Sequence, residues 1–361
     1  MWHNTKVAQL LKIEYPILQG PFGGNFSTVE LLAIVSNMGG LGGYGAYTLS
    51  PQEIVAVHNK IKASTNKPYN INLWVSDSDA PDDMITDEQY ETATKLFRPY
   101  FEEAGICLPE KPPPFESKFE NQVQVILDIR PSLFSFVFGI PSGEILEQCH
   151  KVGVLTAGAA TTLDEALALD AAGVDMIIAS GFEAGGHRPS FLTTAESSTT
   201  GTFVLLQLIK EKVKVPVIAA GGIAKGNAIA AALALGADAV QIGTAFLATD
   251  ESNATAIHKR MLFSDATKYT SLSRAFTGRL GRGITNRIAR EMKHKENCFL
   301  PFPFQSQFMS HLRKAAIDQE KWDMILFWSG QIAPALKHTK AAELMRSLIE
   351  ETTGYFEHSK I

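Results

Sequence analysis

The chain has 361 residues, 45% of them hydrophobic and 20% charged, which is typical of a globular protein large enough to bury a sizeable core. Its formal net charge of -5 and isoelectric point near 6.0 argue against a nucleic-acid partner. Cys107, Cys149 and Cys298 lie far apart in the sequence, which predicts neither disulfides nor a metal site. The sequence shows no signal-peptide pattern and no apolar run long enough to span a membrane, so we expect a cytoplasmic protein with no membrane partner.

Short apolar runs recur along the chain, and most of them close on a small or polar residue. Continuous runs of this kind are typical of strands that are buried on both faces of a parallel sheet. The predicted strands cover residues 15–20, 40–44, 70–75, 133–139, 152–158, 174–180, 215–222 and 237–244, with the weakest signal at 40–44.

Helices are predicted between these strands. Ser50 to Glu53 and Thr162 to Glu165 have the spacing of capping boxes, and the small-residue segment 226–236 ends at a glycine. Eight strands that alternate with helices predict the α/β class and a (β/α)8 TIM barrel, with a doubly wound sheet as the alternative.

Two stretches depart from this rhythm and suggest the domain organisation. We predict a barrel over residues 1–252 with an irregular, acidic and proline-rich insertion at about 76–130. Residues 253–330 are predicted to form a smaller, mostly helical, lid-like domain, and 331–361 a C-terminal helix that returns to the barrel.

The last two predicted strands end in glycine-rich segments. "AAGGI" contains Gly221 and Gly222, and "QIGT" runs from Gln241 through Ile242 and Gly243 to Thr244. At the carboxyl ends of barrel strands, such segments can present backbone N–H groups to a phosphate, because no Cβ blocks its approach. Close helix-to-strand packing is the alternative explanation.

The segment "SGFEAGGHR" follows a predicted strand and joins Gly185 and Gly186 to His187 and Arg188. The imidazole suits proton transfer near neutral pH, so we predict that His187 is catalytic rather than an ordinary loop residue. Arg188 is expected to bind an anion or to pair with Glu183.

Other polar and aromatic residues give weaker signals. Asn72 and Gln19 lie in or at the ends of predicted strands, where their amides could contact a flat ligand or cap the strand. Arg279 and Arg282 lie in a basic run that is either a solvated helix face or a means of attracting an anionic substrate. We also expect an apolar wall that includes Phe302, Phe304 and Trp328.

Several of these stretches together resemble the nitronate monooxygenase family, formerly called 2-nitropropane dioxygenases. The matching elements are "PILQGPFGG", "INLWV", "SFVFGIP", "SGFEAGGHR", the segment from "IAAGGI" to "QIGTAFLATDES", "GRLGRGITNR" and the "SGQ" at 329–331. The resemblance implies an FMN-binding barrel that oxidises alkyl nitronates such as propionate 3-nitronate, or nitroalkanes, with O₂ to a carbonyl compound and nitrite.

Carried over by position, the resemblance implies that His187 is the catalytic base toward neutral nitroalkanes. It also implies FMN contacts, which we expect from Gln19, Gly20, Asn72, Ser180, Gly185, Gly186, Gly221, Gly222, Gln241, Ile242, Gly243 and Thr244.

The chain departs from the family pattern at two positions. Ser180 stands where many members have Gln, and Val137 stands where many have His, which affects the expected substrate more than the fold. An NAD(P)H-dependent flavin reductase acting on an enoyl thioester or a quinone is therefore the alternative. A phosphate-binding barrel without redox function is the third hypothesis, and no feature of the sequence indicates an oligomeric state.

Overall fold

Eleven strands are present in the computed structural model, which describes residues 1–358. In chain order they are β1 (Ile17–Gln19), β2 (Gly42–Gly45), β3 (Tyr69–Trp74), β4 (Leu133–Val137), β5 (Leu155–Ala160), β6 (Met176–Ser180), β7 (Gly186–His187), β8 (Val217–Ala220), β9 (Ala239–Ile242), β10 (Thr270–Ser273) and β11 (Gly281–Ile284).

Eight of these strands form one parallel sheet in the order β1-β9-β8-β6-β5-β4-β3-β2. The two ends of the sheet meet where Leu18 pairs with Leu41, just before β2. There the Gln19 amide donates to the Leu41 carbonyl at 2.9 Å, and the Leu41 amide donates to the Ile17 carbonyl at 3.0 Å. The sheet thus closes into the predicted (β/α)8 barrel, and the doubly wound alternative is excluded.

Fourteen α-helices accompany the strands within residues 1–358. They are α1 (Lys6–Leu11), α2 (Val29–Asn37), α3 (Pro51–Ser64), α4 (Asp87–Glu103), α5 (Phe119–Ile129), α6 (Gly143–Val152), α7 (Leu163–Ala172), α8 (Thr202–Lys210), α9 (Gly226–Ala234), α10 (Thr244–Leu247), α11 (Ala256–Leu262), α12 (Arg287–Glu291), α13 (Phe304–Asp318) and α14 (Ala341–His358). None of them combines the length and the apolarity that crossing a bilayer requires.

Of the two predicted capping boxes, one is complete. Ser50 and Glu53 cap α3 reciprocally. At α7, the Thr162 side chain accepts from the Glu165 amide, but the buried Glu165 carboxylate accepts from the amide of Thr161, one residue before the cap, at 2.7 Å. Its other oxygen accepts from the amides of Phe191 and Leu192 at 2.6 and 3.2 Å, so it also anchors the loop after β7.

The barrel interior is filled by side chains, so space for a ligand lies at its end. Leu18, Leu133, Met176 and Ile218 point inward and are at most 1% exposed. A larger cluster packs the outer faces of the strands against the surrounding helices. Among these helices, α14 lies against α9 and α2, and its Glu351 accepts from the Gly226 amide at 2.9 Å.

The segment that we expected to be irregular contains two helices. α5 packs in the main barrel cluster, whereas α4 buries Ala93, Phe97 and Phe101 against Phe304 and Phe308 of α13. The apolar residues of α4 repeat every four positions along one face, and Thr86 with Gln89 forms a capping box at its start. Residues 76–115 and 253–330 therefore share one hydrophobic core, and we call them together the second unit.

A small antiparallel sheet joins the second unit to the barrel. β10 pairs with β11, and β11 pairs with β7, which lies in the loop that follows β6. In this register His187 faces Gly281, and Gly186 faces Arg282. His187 is thus held in a short strand rather than in the free glycine turn that the sequence suggested.

Candidate active site

A cavity of about 390 Å³ lies at the carboxyl ends of the barrel strands, between the barrel and the second unit. Its barrel wall consists of residues at the ends of β3, β6, β8 and β9, namely Asn72, Ser180, Gly221, Gly222, Gln241, Gly243 and Thr244. Its second-unit wall consists of Phe276, Thr277, Phe302, Met309, Arg313, Met324, Leu326 and Trp328. The carboxyl-terminal end is where barrels carry their sites.

Most of the residues that the sequence singled out meet at this cavity. His187, Gly185 and Gly186 line it together with the whole barrel wall. Gln19, Gly20 and Ile242 do not line it.

These three residues instead connect β1 to its neighbours. The Gln19 side chain accepts from the Gly43 amide at 2.9 Å and donates to the Gly20 carbonyl, and the Gly20 amide donates to the Ile242 carbonyl at 2.9 Å.

The glycine-rich strand ends present unpaired backbone donors. In residues 1–358, the amides of Gly222, Ile223, Gly243 and Thr244 donate to no protein acceptor. Gly221 and Gly222 have φ values of 108° and 71°, a left-handed conformation that favours glycine. A Cβ on Gly243 would come no closer than 4.0 Å to a neighbouring atom, so open space lies beside it. The four amides can therefore receive an anionic group.

Two side-chain amides complete the barrel wall. Asn72 donates to the Ser135 hydroxyl at 3.0 Å, which leaves its carbonyl oxygen available to a ligand. The Gln241 carbonyl oxygen is buried and has no hydrogen-bond partner among the described residues. Because burial of an unpaired acceptor costs free energy, this oxygen fits a ligand that brings its own donor.

The tautomer of His187 follows from its hydrogen bonds. Its Nε2 lies 2.8 Å from the Thr277 hydroxyl oxygen, and that hydroxyl lies 3.1 Å from the Arg279 carbonyl. The carbonyl can only accept, so the hydroxyl proton points to Arg279 and the hydroxyl must accept from His187. Nε2 therefore carries the ring proton, and Nδ1 keeps a free lone pair.

Aromatic residues enclose the His187 ring. Its centroid lies 4.8 Å from that of Trp328 and 5.4 Å from that of Trp74, both in edge-to-face geometry. Burial, and then the positive charges of Arg279 and Arg274, lower the pKa of His187 from 6.5 to about 3. The imidazole is thus neutral near pH 7 and can accept a proton, but it supplies no positive charge.

Arg279 and Arg282 take neither of the roles that the sequence left open. Both are buried, at 4% and 3% exposure, and neither lines the cavity. Arg279 forms two bonds of 2.7 Å to the Asp79 carboxylate and stacks 4.0 Å above the Phe138 ring. Arg282 donates to the Phe182 carbonyl at 3.0 Å. Through these contacts they brace the cavity from behind, although Nη1 of Arg279 is buried without a hydrogen-bond partner among the described residues.

Arg188 is also a structural residue in this arrangement. It is 2% exposed and donates to the carbonyls of Gly181 and Ser198 at 2.6 and 2.9 Å. It does not pair with Glu183, whose carboxylate accepts from the Thr202 amide and hydroxyl at 2.8 and 2.9 Å. The expected anion-binding role of Arg188 is therefore replaced by support of the loop after β6.

The second-unit wall was only partly foreseen. Phe302 and Trp328 line the cavity as expected, whereas Phe304 lies in the core of the second unit. Sequence reasoning missed Thr277 and Arg313. Thr277 directly precedes the glycine-arginine stretch that had been noticed, but Arg313 lies in a helix without any local motif.

Comparisons with known proteins agree with this geometry. The family model described as nitronate monooxygenase matches residues 4–351. A probable nitronate monooxygenase of Staphylococcus haemolyticus is 36% identical over 353 residues, covering 97% of this chain and 98% of the relative. One from Staphylococcus aureus strain Newman is 36% identical over 355 residues and 97% of each chain.

Solved structures show the same similarity. Nitroalkane oxidase from Streptomyces ansochromogenes superposes with a TM-score of 0.88 at 32% identity, over 97% of this chain and 99% of the other. FabK from Thermotoga maritima superposes with a TM-score of 0.74 at 26% identity, over 98% and 97%. From the family match along nearly the whole chain and from these relatives, we conclude that the chain belongs to the nitronate monooxygenase family of oxidoreductases.

Proposed function

We propose that this enzyme is an FMN-dependent nitronate monooxygenase, which uses O₂ to convert alkyl nitronates such as propionate 3-nitronate into a carbonyl compound and nitrite. One observation carries the proposal: a neutral His187 faces the same cavity as a wall of unpaired backbone amides. A base and an anion cradle in one enclosed site suit a phosphate-bearing cofactor and a small acidic substrate.

The barrel wall fits FMN on its own chemistry. The amides of Gly222, Ile223, Gly243 and Thr244 would receive the phosphate, and the unpaired Gln241 oxygen would accept from a donor on the flavin or its side chain. Asn72, Ser180, Gly185, Gly186 and Gly221 would line the rest of the cofactor, whereas Gln19, Gly20 and Ile242 would support that wall from behind. Bound FMN would supply the redox chemistry by accepting electrons from the substrate.

The protonation state of His187 determines which role it can take toward the substrate. Its free Nδ1 lone pair can remove the α-proton of a neutral nitroalkane, while Thr277 holds Nε2. A strongly lowered pKa keeps this base unprotonated but also weak, so deprotonation is slow and a preformed nitronate is the better substrate. Toward that anion the neutral His187 orients and encloses the substrate without supplying a positive charge.

Two family departures lie within the site. Ser180 and Val137 both line the cavity, so they act on the substrate and cofactor directly. A serine hydroxyl reaches less far than the glutamine found in many members, and a water molecule can bridge the difference. Val137 offers no hydrogen bond, which leaves His187 as the single imidazole that lines the described cavity.

A flavin reductase that uses NAD(P)H is the second candidate. It is supported by the likeness to FabK at 26% identity and by the aromatic and apolar second-unit wall, which could accommodate a nicotinamide or an acyl chain. The higher TM-score of the nitroalkane oxidase favours nitronate oxidation.

The purified protein tests both candidates. Its visible spectrum reports bound flavin, and propionate 3-nitronate in air should give nitrite release together with O₂ uptake. NADH added without air should bleach the flavin slowly. Rapid bleaching without nitrite release would contradict the monooxygenase proposal and support the reductase. A colourless protein that takes up no FMN would contradict both proposals.

A further inference from the structure

The guanidinium of Arg279 lies over three aromatic rings that pack together, which we call the aromatic triad. Its Cζ is 4.0 Å from the ring centroid of Phe138, 4.4 Å from that of Phe302 and 5.3 Å from that of Trp74. Within about 6 Å a cation is attracted to the face of a ring. The Arg279 side chain therefore helps to hold the three rings in place.

The same aromatic triad packs against the imidazole of His187. The His187 ring centroid lies 5.4 Å from that of Trp74, 6.1 Å from that of Phe302 and 6.3 Å from that of Phe138, each in edge-to-face geometry. Each ring of the triad thus contacts both the base and the guanidinium, although Arg279 itself does not line the cavity.

The backbone of Arg279 provides a second route to His187. The Arg279 carbonyl accepts from the Thr277 hydroxyl at 3.1 Å, and that hydroxyl lies 2.8 Å from His187 Nε2, whose proton it accepts. The side chain of Arg279 therefore supports the rings around the imidazole, while its carbonyl fixes the tautomer. A displacement of Arg279 would change both the packing and the hydrogen bond of the base.

An ion pair with Asp79 fixes the Arg279 guanidinium. Nε and Nη2 of Arg279 donate to the two oxygens of the Asp79 carboxylate at 2.7 Å each, which is a bidentate pair. The Asp79 amide also donates to the Phe302 carbonyl at 2.8 Å. The Asp79 side chain is 39% exposed and does not line the cavity. Asp79 thus connects the loop after β3 to the aromatic triad from outside the cavity.

We propose that Asp79 and Arg279 are a positioning pair for His187, which holds the aromatic triad and Thr277 in the arrangement that the base needs to remove a proton. Neither member of the pair lines the cavity, so both act through other residues. The inference rests on the proposed function, because a neutral nitroalkane is the substrate that His187 deprotonates. It assigns a role in catalysis to a carboxylate of the acidic insertion.

Asp79→Asn tests the pair with little change of shape, because it removes the charge of a partly exposed side chain. In the flavin-loaded enzyme, kcat for 1-nitropropane should fall about 10-fold, while KM changes less than about twofold. Propane 1-nitronate needs no deprotonation, so its kcat should change less than about twofold.

Asp82→Asn is the matched control for this charge removal. Asp82 is exposed in the same loop, and among the described residues Arg279 pairs with Asp79 and not with Asp82. Asparagine also tolerates the φ of 51° at this position. Asp82→Asn should match wild type with both substrates. An equal loss in the two variants, no loss in Asp79→Asn, or an equal loss with nitroalkane and nitronate would overturn the proposal.

Arg279→Lys separates position from charge. Lysine keeps the positive charge but lacks the planar face and the paired donors of arginine. We expect it to slow turnover of 1-nitropropane at least as much as Asp79→Asn does. The double variant should lose less than about twofold beyond Arg279→Lys, because the two residues act as one unit. Wild-type kcat in Arg279→Lys, or fully additive losses in the double variant, would contradict the positioning pair.

The pKa of His187 gives a readout that requires no turnover. Arg279 and Arg274, which pair with Asp79 and Glu196, both lower this pKa, and burial lowers it more. Arg279→Met removes one of these charges and admits water around the imidazole. Both changes should raise the pKa of His187 from about 3 toward 6.5.

The ¹⁵N chemical shifts of His187 in the flavin-loaded protein, followed from pH 7.5 to pH 5, measure this change. We expect His187 to stay neutral in wild type and to begin to titrate in Arg279→Met. If that variant does not fold, Asp79→Asn should show a tautomer mixture at pH 7.5 in place of the Nε2-protonated ring. Wild-type shifts in the variants would refute the positioning pair even if nitrite is released. Altered shifts in an enzyme that releases no nitrite would support the pair and refute the monooxygenase activity alone.

Discussion

The two walls of the cavity differ in what they offer a ligand. The barrel wall consists of glycines, small polar residues and unpaired backbone amides, with Gln241 and Asn72 as its larger side chains. The second-unit wall consists mainly of aromatic and aliphatic side chains, together with Thr277, Ser306, Ser310 and Arg313. A side-chain substitution changes the backbone donors of the barrel wall little, because the strands fix their positions. In the second-unit wall, each substitution changes the surface that a ligand would contact.

This difference suggests a division of labour. The barrel wall suits a cofactor that must be held in one position, and the second-unit wall suits recognition of a particular substrate. His187 belongs to both, because β7 follows a barrel strand but pairs with β11 of the second unit. Substitutions in the two walls should therefore have separable effects, with His187 as the point where they meet.

Removal of the His187 imidazole should have the largest effect. His187→Asn is expected to slow nitrite release from neutral nitroalkanes about 100-fold or more, because the one carboxylate that lines the described cavity, that of Glu183, is held by Thr202. Nitronates, which need no deprotonation, should lose less. The visible spectrum should confirm that flavin is retained, and full activity on neutral nitroalkanes would show that another group removes the proton.

A substitution in the barrel wall should affect the cofactor. Gly222 has φ of 71°, so alanine there is strained, and relief of that strain would displace the amides of Gly222 and Ile223 that would bind phosphate. Gly222→Ala should raise the Kd for FMN about 10-fold or more, as measured by quenching of flavin fluorescence. Gly105 has a similar φ of 66° but lies far along the chain after α4 with open space around it, so Gly105→Ala is the matched control. Equal loss of FMN in both variants would mean that backbone strain alone is responsible.

Substitution of Thr277, the second-unit residue that fixes the tautomer of His187, should have a smaller effect on turnover. Thr277→Val keeps the shape but cannot accept from His187 Nε2, so the ring loses its preferred tautomer. Turnover of neutral nitroalkanes should fall about 10-fold, and Thr277→Ser should restore it. The ¹⁵N chemical shifts of His187 should report an Nε2-protonated ring in wild type and a tautomer mixture in the valine variant. Unchanged shifts would contradict the assignment from hydrogen bonds.

The second-unit wall should also weaken in acid. His258 is 2% exposed and lies 2.9 Å from the Trp328 carbonyl, and burial lowers its pKa from 6.5 to about 4. Below pH 6.5 the unfolded chain gains a proton on this histidine that the folded protein refuses until about pH 4, so stability falls as pH falls. The loss from this group at pH 5 should be on the order of 2 kcal/mol.

Urea unfolding at pH 7.5 and pH 5 checks this value. His258→Gln, which cannot titrate, should lose less stability between the two pH values than wild type does. Equal losses in the two proteins would show that other groups control the acid sensitivity.

The barrel could be predicted because each of its strands has a distinctive local sequence pattern. Continuous apolar runs that end in small or polar residues mark strands buried on both faces, and Gly221, Gly222 and Gly243 mark their free ends. The same local argument gave the position of His187. It did not reveal that Gln19 turns to the Gly43 amide, because a strand-end amide has several partners within reach.

The second unit could not be predicted in the same way. Its core joins α4 to α13, which lie about two hundred residues apart, and its sheet contains strands of two to four residues that are rich in glycine and serine. Arg313 and Thr277 reach the cavity only through this packing. Pairing between distant segments depends on tertiary contacts that no local pattern records.

The pairing of β7 with β11 has a mechanical consequence. His187 follows β6 in the chain and is therefore attached to the barrel. The strand that its backbone pairs with, β11, and the Thr277 hydroxyl that fixes its tautomer both belong to the second unit. The distance between His187 and the glycine-rich barrel wall is therefore set by how the barrel and the second unit pack against each other. Substitutions in β10, which does not line the cavity, can change that distance through the three-stranded sheet.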